Sequence, residues 1–406
     1  MAGGTKLLAV VIALSWLSNM QQLVQGKPQA VQGTPQVPCF FIFGDSVADP
    51  GNNDKLPTLA KVNYKPYGID FPAGPTGRFC NGRNIVDFLG MRLFSTFIFF
   101  FELLPYVQSQ KLHMLKLLIT AELLGFENYI PAFASANGTE ILQGVNYASG
   151  AAGIRKESGK QLGARISMGE QLKNHRTTVS RIIDIFGKKS LAKNQLNQCI
   201  YSVGMGSNDY INNYFMPQYY TTSQKYTLEE YADVLIKQYT RQILRLHQYG
   251  ARKVALVGLG LIGCTPDAIK TYGTNGSACV DIMNNASQIF NGKLVSLVDE
   301  LNTNLTDSQF IYINSYGMGS GDLTLAGFKV LNAGCCEADE VGQCIPDLTP
   351  CQNRSEYVFW DSFHPTEAGN LITASRTYTA SEPSDTYPMD MSHLAELQIN
   401  PQVNEI

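Results

Sequence analysis

Histidine is scarce in this chain of 406 residues: there are five, His113, His175, His247, His364 and His393. General-base chemistry that uses an imidazole therefore has few places to sit. No CxxC pair meets a second CxxC or a pair of spaced histidines, which excludes the common zinc sites, and no metal or other cofactor is expected. An excess of one charge is also missing. The formal net charge is -3, and no long like-charge run occurs, so there is no footprint for nucleic acid or for an anionic membrane surface. A clean apolar stretch of membrane-spanning length, ~20 residues, is absent as well. Leu7–Leu17 is too short, and the Phe-rich stretch 90–120 is interrupted by Glu102 and Pro105. No integral membrane segment is expected in the mature chain. No internal repeat and no second domain boundary stand out, and nothing specifies an oligomeric state.

What is present begins with the N-terminus. Lys6 precedes the apolar run Leu7–Leu17, and small and polar residues follow to Gly26. A positive flank before a short apolar run reads as a secretory signal peptide, here residues 1–26. Nine cysteines are present. Four of them, Cys335, Cys336, Cys344 and Cys351, lie in one loop, and Cys264 and Cys279 lie close together. In an oxidising compartment these groups form local disulfides, and the odd count leaves at least one thiol outside an internal pair. N-x-S/T triplets stand at Asn137, Asn275, Asn285, Asn304 and Asn353, candidate glycosylation sites in a secreted chain. Secretion to the extracellular space follows, with the cell wall or apoplast as one destination.

Along the chain, short apolar runs bounded by turn residues alternate with long amphipathic segments. Buried strands are expected at 39–43, 196–204, 253–260, 309–314 and 357–360, and helices from 84, at 171–186, 228–249, 280–301 and 365–377. That alternation predicts an α/β fold with a mostly parallel sheet covered on both faces. One domain is expected over 27–393, with 394–406 as a C-terminal tail. The Pro-, Gly- and Asn-rich stretch 63–84 reads as a long ordered loop or lid. The stretch 90–120 fits none of this, since it has no clean helical or strand period. Removing it joins NIVDFL to AELLGFENYIP as one amphipathic helix that stops at Gly125. It is therefore read as a non-native insertion, such as a translated intron, with a genuine apolar lid or membrane-facing flap as the alternative.

Chemistry concentrates at the ends of strands. Ser46 follows the first apolar run in FFIFGDSVADPGNN, where α/β folds place ligands. It is a candidate nucleophile; the plainer reading is a serine that caps the next helix. Such a hydroxyl needs a base and a group to hold that base. His113 falls in the suspect insertion, His175 and His247 read as surface residues, and His393 lies in the tail. His364, in FWDSFHPTEAGN, stands three residues after Asp361, a spacing that lets a carboxylate and an imidazole project from one turn. The alternative is a turn-capping Asp and a helix-entry His. Donors for a developing oxyanion are available from the N–H groups of the turn at Ser149, Gly150 and Ala151, from the Asn208 amide in GSND, and from the Ser46 N–H.

The blocks GDSVADPGNN, GVNYASGAAG, VGMGSNDY and DSFHPTEAGN, in that order, resemble those of the GDSL esterase/lipases of the SGNH hydrolase superfamily. The resemblance is to the secreted plant-type branch and runs from about Pro38 to His393, apart from 90–120. It implies a flavodoxin-like three-layer α/β/α fold. It also implies Ser46 as nucleophile, Asp361 and His364 as the acid and base of a triad, and Asn208 and Gly150 as oxyanion donors. Gly150 is the assignment most exposed to local geometry, because this chain has SGAAG where many relatives have SGGAG. Leu261 also departs from a proline common in relatives. The G-x-S-x-G elbow of α/β-hydrolases is only half matched, since Ala48 stands at its last position. The expected activity is hydrolysis of carboxylic esters, small-molecule or lipid, through an acyl-enzyme. The rivals are acyl transfer to an alcohol at the same site and an inactive secreted glycoprotein.

Overall fold

A computed structural model describes residues 34–91 and 123–399 of the chain. The signal peptide read at 1–26 and nearly all of 90–120, His113 included, lie outside the described residues. The central sheet is built from β1 (Phe40–Gly44), β2 (Ile200–Gly204), β3 (Lys253–Val257) and β4 (Gln309–Ile313), all parallel and in that order. A separate pair follows, β5 (Val330–Gly334) with β6 (Tyr357–Phe359). A last strand, β7 (Thr386–Tyr387), closes the main sheet antiparallel to β4.

The segment 145–149 runs along the free side of β1. The Ile42 N–H donates to Val145 O at 3.1 Å, the Tyr147 N–H to Ile42 O at 2.8 Å, and the Ser149 N–H to Gly44 O at 3.1 Å. Chain order across the sheet is therefore this segment, then β1, β2, β3 and β4, the doubly wound order of flavodoxin-like folds. The chain reverses direction of travel at β1. Connections on its two sides diverge there and leave a crevice beyond the C-terminal ends of β1 and β2.

Side chains of a strand alternate between faces, and here each face has its own core. Phe41, Phe43, Tyr201, Val203, Val254, Leu256 and Phe310 meet helices Met168–Phe186, Leu228–Gln248 and Asp281–Asn304. Phe40, Ile42, Ile200, Ala255, Ile311 and Ile313 meet helices Ile85–Gly90, Glu367–Tyr378 and Met391–Glu396. The result is three layers, α/β/α. Each fully buried Phe of β1 contributes about 1.5–3 kcal/mol of transfer free energy, which explains an apolar run with no polar alternation. The long helices start where the sequence supplies caps. Thr227 with Glu230 and Ser167 with Glu170 form capping boxes.

Four disulfides are present, and Cys80 is a buried thiol. Cys264–Cys279, Cys335–Cys351 and Cys336–Cys344 are the local bridges expected. Cys39–Cys199 was not expected: it joins the residues just before β1 and β2 across 160 positions.

Several sequence expectations are corrected. Residues 196–198, expected to open a strand, are the last turn of helix Lys189–Gln198, and β2 begins only at Ile200; the polar periodicity of KSLAKNQLNQ outweighs the apolar run that follows it. The strand at 357–359 belongs to the small β5–β6 sheet rather than the central one. His175 is not a surface residue. It is fully buried among Phe41, Phe43, Tyr147 and Tyr201, and burial lowers its pKa to about 3. The packed domain also runs past residue 393, since Leu394 and Ala395 are buried and Ala395 O accepts the Lys253 ammonium at 3.0 Å. Helix Ile85–Gly90 stops at Met91, and residues 123–126 return beside it without helical structure.

Candidate active site

The GDSVADPGNN loop is shaped by its own polar side chains. Asp45 Oδ1 accepts the Val47 N–H at 3.1 Å, which turns the chain directly after β1 and leaves Ser46 on the bend. Asp49 Oδ1 accepts the N–H groups of Gly51 and Asn52 at 2.8 and 2.7 Å. Its other oxygen accepts the Gly150 N–H at 2.8 Å. The Asn52 amide donates to Asn146 O and Ala148 O at 2.9 and 2.7 Å, and the Asn53 amide donates to Gly150 O at 3.1 Å. These residues knit the bend carrying Ser46 to the turn that follows residues 145–149. Burial pushes the Asp45 carboxyl up to about 6 and Asp49 up to about 7, against the backbone donors that favour their ionised forms.

His364 and Asp361 arrive on the loop after β6. Asp361 is fully buried, and its Oδ1 accepts the N–H groups of Phe363 and His364, both at 2.8 Å. Those bonds close the D-x-x-H turn. The His364 Nδ1 lies 2.8 Å from Asp361 Oδ2 and 2.9 Å from Oδ1. Nδ1 therefore carries the proton, and Nε2 presents its lone pair to the Ser46 hydroxyl at 2.7 Å. Ser46 and His364 are 318 positions apart in the chain. The Phe79 ring packs against the imidazole at 4.9 Å between centroids.

Asn208 sits on a short helical turn, Ser207–Asp209, just after β2. Its amide donates to Ala152 O at 3.0 Å and its oxygen accepts from Asn212 at 2.6 Å, which leaves one amide hydrogen uncommitted. The neighbouring Asp209, fully buried, accepts from the Ile154 N–H at 2.7 Å, the Arg155 N–H at 2.9 Å and the Ser158 hydroxyl at 2.6 Å. Burial raises its pKa to about 6. Asp49 and Asp209 thus grip the 149–155 turn from its two sides.

Gly150 does not stand where the sequence reading put it. Its N–H is committed to Asp49, and a side chain there would meet the Phe79 ring at 2.7 Å. The cavity wall is formed instead by Ala151, whose φ is +62°. Its N–H meets no acceptor among the described residues. A positive φ is the backbone conformation that favours glycine.

A cavity of about 1460 Å³ opens on Ser46, Asn208 and His364. Aliphatic side chains, among them Val47, Leu59, Leu162, Ile211 and Leu259, form much of its wall. Among the described residues no group of three or more His, Cys, Asp or Glu side chains is arranged to hold a metal ion, and no helix is long and apolar enough to cross a membrane. All five sequon asparagines are exposed, Asn285 in mid-helix with the Ser287 hydroxyl buried beside it. Sequence reasoning missed Tyr67, whose hydroxyl donates to Asp361 Oδ2 at 2.7 Å. Only its place in an unexplained ordered loop, PYGIDFP, marked it.

A serine hydroxyl on an imidazole on a buried carboxylate, at the switch point of a doubly wound sheet, is an arrangement used by serine-dependent acyl-transfer enzymes. Residues 40–377 match the model of the GDSL-like lipase/acylhydrolase family. One GDSL esterase/lipase of Arabidopsis thaliana is 50% identical over 90% of this chain and 93% of its own length. A second is 48% identical over 94% of this chain and 98% of its own, and a third is 47% identical over 89% and 93%. The chain belongs to the GDSL-like lipase/acylhydrolase family. It is a hydrolase that acts on ester bonds.

Proposed function

We propose that this ester hydrolase is secreted and works through an acyl-enzyme on Ser46. The observation that carries the mechanism is the unbroken path from Ser46 Oγ to His364 Nε2 at 2.7 Å and from Nδ1 to Asp361 at 2.8 Å. As Ser46 Oγ attacks the ester carbonyl, Nε2 takes its proton, and the buried Asp361 carboxylate stabilises the imidazolium. The tetrahedral oxyanion accepts hydrogen bonds from the Asn208 amide and from the N–H groups of Ser46 and Ala151. Ala151 takes the role first assigned to Gly150. His364 then protonates the departing alkoxide, and the alcohol leaves. Water enters, loses a proton to Nε2 and attacks the acyl carbon; the carboxylic acid is released and Ser46 is restored.

The aliphatic cavity wall supports acyl chains as the bound part of the substrate, in lipid or acylated plant-wall esters. Secretion is supported by the leader-like N-terminus, by four disulfides and by the exposed sequon asparagines. We further infer that residues 90–120 are an addition to the fold. The Phe126 N–H donates to Gly90 O at 2.9 Å and the Leu124 N–H to Leu89 O at 3.0 Å, so the chain re-enters one hydrogen bond from where it left.

The test is fluorophosphonate labelling and p-nitrophenyl butyrate turnover by chains with and without residues 90–120, with Ser46→Ala as control. Ser46→Ala is expected to fold, to resist labelling and to lose turnover by orders of magnitude, ~10⁶ in a serine protease. Undiminished turnover by that variant removes Ser46 from the mechanism. Turnover in the full-length chain equal to that of the shortened one identifies the segment as neutral.

A further inference from the structure

We propose that Tyr67 is a positioning residue for the Asp361–His364 pair, held in place by the disulfide-closed loop Cys336–Cys344. The inference rests on the mechanism just proposed.

Tyr67 comes from the Pro- and Gly-rich stretch 63–84, for which the mechanism so far has no use. Its side chain is fully buried in a small core of its own, with Val62, Phe79, Cys335, Cys336, Cys344 and Trp360. The hydroxyl makes two bonds of opposite sense. It donates to Asp361 Oδ2 at 2.7 Å and accepts the Cys344 N–H at 3.0 Å. The second bond fixes the first: a hydroxyl oxygen that receives an N–H on one side must turn its own hydrogen to the other, and there lies the carboxylate. Burial and the Asp361 charge push the Tyr67 hydroxyl well above its ordinary pKa, so it remains a donor at every working pH.

The Cys344 peptide is gripped at both ends. Tyr67 takes its N–H, and the Tyr64 hydroxyl donates to its carbonyl at 3.1 Å. Cys344 is bonded to Cys336, and the Cys336 N–H donates to Trp360 O at 3.0 Å, immediately before Asp361. The path from Asp361 through Tyr67, Cys344, the disulfide, Cys336 and Trp360 returns to Asp361. This closed circuit fixes the carboxylate relative to its own backbone. Among the described residues, Asp361 Oδ2 meets only the His364 ring apart from Tyr67. Without the hydroxyl, that oxygen keeps only the His364 contact and holds its charge less shared.

The sign of the effect follows. A hydrogen bond donated to a carboxylate disperses its charge and lowers its basicity. Removing the donor makes Asp361 a stronger partner for the imidazolium. Asp45, raised to about 6 by burial and within the electrostatic reach of His364, titrates in the same range in both proteins, so the difference between them is the readout, and Tyr67→Phe is expected to move the acid limb of kcat/KM to higher pH. It is also expected to lower kcat, because the carboxylate is no longer held where the imidazolium forms and this loss of position outweighs the gain in charge, with KM changed less than about threefold. A merely structural role would lower the melting temperature and leave the limb in place.

The experiment is the pH profile of p-nitrophenyl butyrate hydrolysis by wild type, Tyr67→Phe, the double variant Cys336→Ala/Cys344→Ala and their combination. Wild-type turnover that Ser46→Ala abolishes establishes the parent mechanism independently. The double variant is expected to shift the limb in the same direction by a smaller amount, and its effect is not additive with Tyr67→Phe, because both open one circuit. If Tyr67→Phe fails to fold, the limb of the double variant decides. An unmoved acid limb in whichever variant folds, or strictly additive losses in kcat, overturns the proposal.

Discussion

The two halves of the site are held by different means. Ser46 and Asn208 stand on turns directly beyond β1 and β2, strands buried through almost their whole length. Asp361 and His364 stand beyond β6, in a two-stranded sheet whose partner, β5, is largely exposed. On the first side the parallel ladder and local polar side chains, Asp45, Asp49, Asn52 and Asp209, give the geometry. On the second there is little sheet to lean on, and two disulfides together with Tyr67 replace it. A half-site on a deep sheet derives its precision from burial. A half-site on a shallow one needs covalent links and hydrogen bonds from distant chain.

That contrast can be broken from either side. After the nucleophile itself, the largest effect is expected from Asn208→Ala, on the sheet side. Loss of an oxyanion donor lowers kcat by about 10²–10³ with little change in KM; kcat near wild type would take Asn208 out of the oxyanion site. The disulfides offer the most direct comparison. Cys39–Cys199 closes 160 positions and Cys336–Cys344 closes 8, which in the chain-entropy relation correspond to roughly 5 and roughly 2.5 kcal/mol of stabilisation. Replacing the first pair by alanine should lower the denaturation midpoint more and kcat less; replacing the second should do the reverse. Equal effects on both readouts would erase the distinction between the halves.

A smaller effect comes from pH. Burial raises the folded-state pKa of Asp45, Asp49 and Asp209 above the ordinary carboxyl range. A raised carboxyl stabilises the fold fully below its unfolded pKa, and that stability is lost as pH rises through the folded value. His175, lowered to about 3, acts in the opposite direction below pH about 6.5. From pH about 6.5 to 8 Asp49, at about 7, is read by comparison with its Asn variant, because Lys253, lowered to about 8 by burial, and His393, raised beside Asp390, titrate there in both proteins. Thermal melts should show wild type losing stability across that window and Asp49→Asn losing less; parallel slopes would place the Asp49 titration elsewhere. The smallest effect is at the turn between the halves. Ala151→Gly relieves a left-handed φ of +62° and should stabilise by about 1 kcal/mol while retaining turnover. A loss of stability would mean that the turn accommodates its Cβ without strain.

Much of this molecule was legible from neighbouring residues. Strand and helix identity followed from periodicity, and the five-residue β1 was read almost to its ends. The D-x-x-H turn could be picked out because a carboxylate that caps its own backbone brings an imidazole three residues on back to itself. The local disulfides could be grouped because short loops close easily. The misreadings share a cause. His175 was judged by the polar residues around it in sequence, yet a helix turns every 3.6 residues and puts His175 on the face that meets β1. Gly150 was chosen because the resemblance implies a glycine donor in that turn, but Asp49, 101 positions away, had already engaged its N–H.

The sequence by itself determined the inventory: a serine after a buried strand, one histidine with a carboxylate at turn spacing, amide donors after the flanking strands, and cysteines in local groups. Those features depend on backbone preferences and side chains a few bonds apart. Only the tertiary structure decided the pairings. It put His364 2.7 Å from Ser46 across 318 positions, a pairing that residue spacing left open and only the family resemblance implied; it joined Cys39 to Cys199, left the N–H of Ala151 open, and brought Tyr67 to Asp361 across 294 positions. The physical reason is that a buried polar group must find a partner wherever packing brings one, and sequence distance places no limit on where that is.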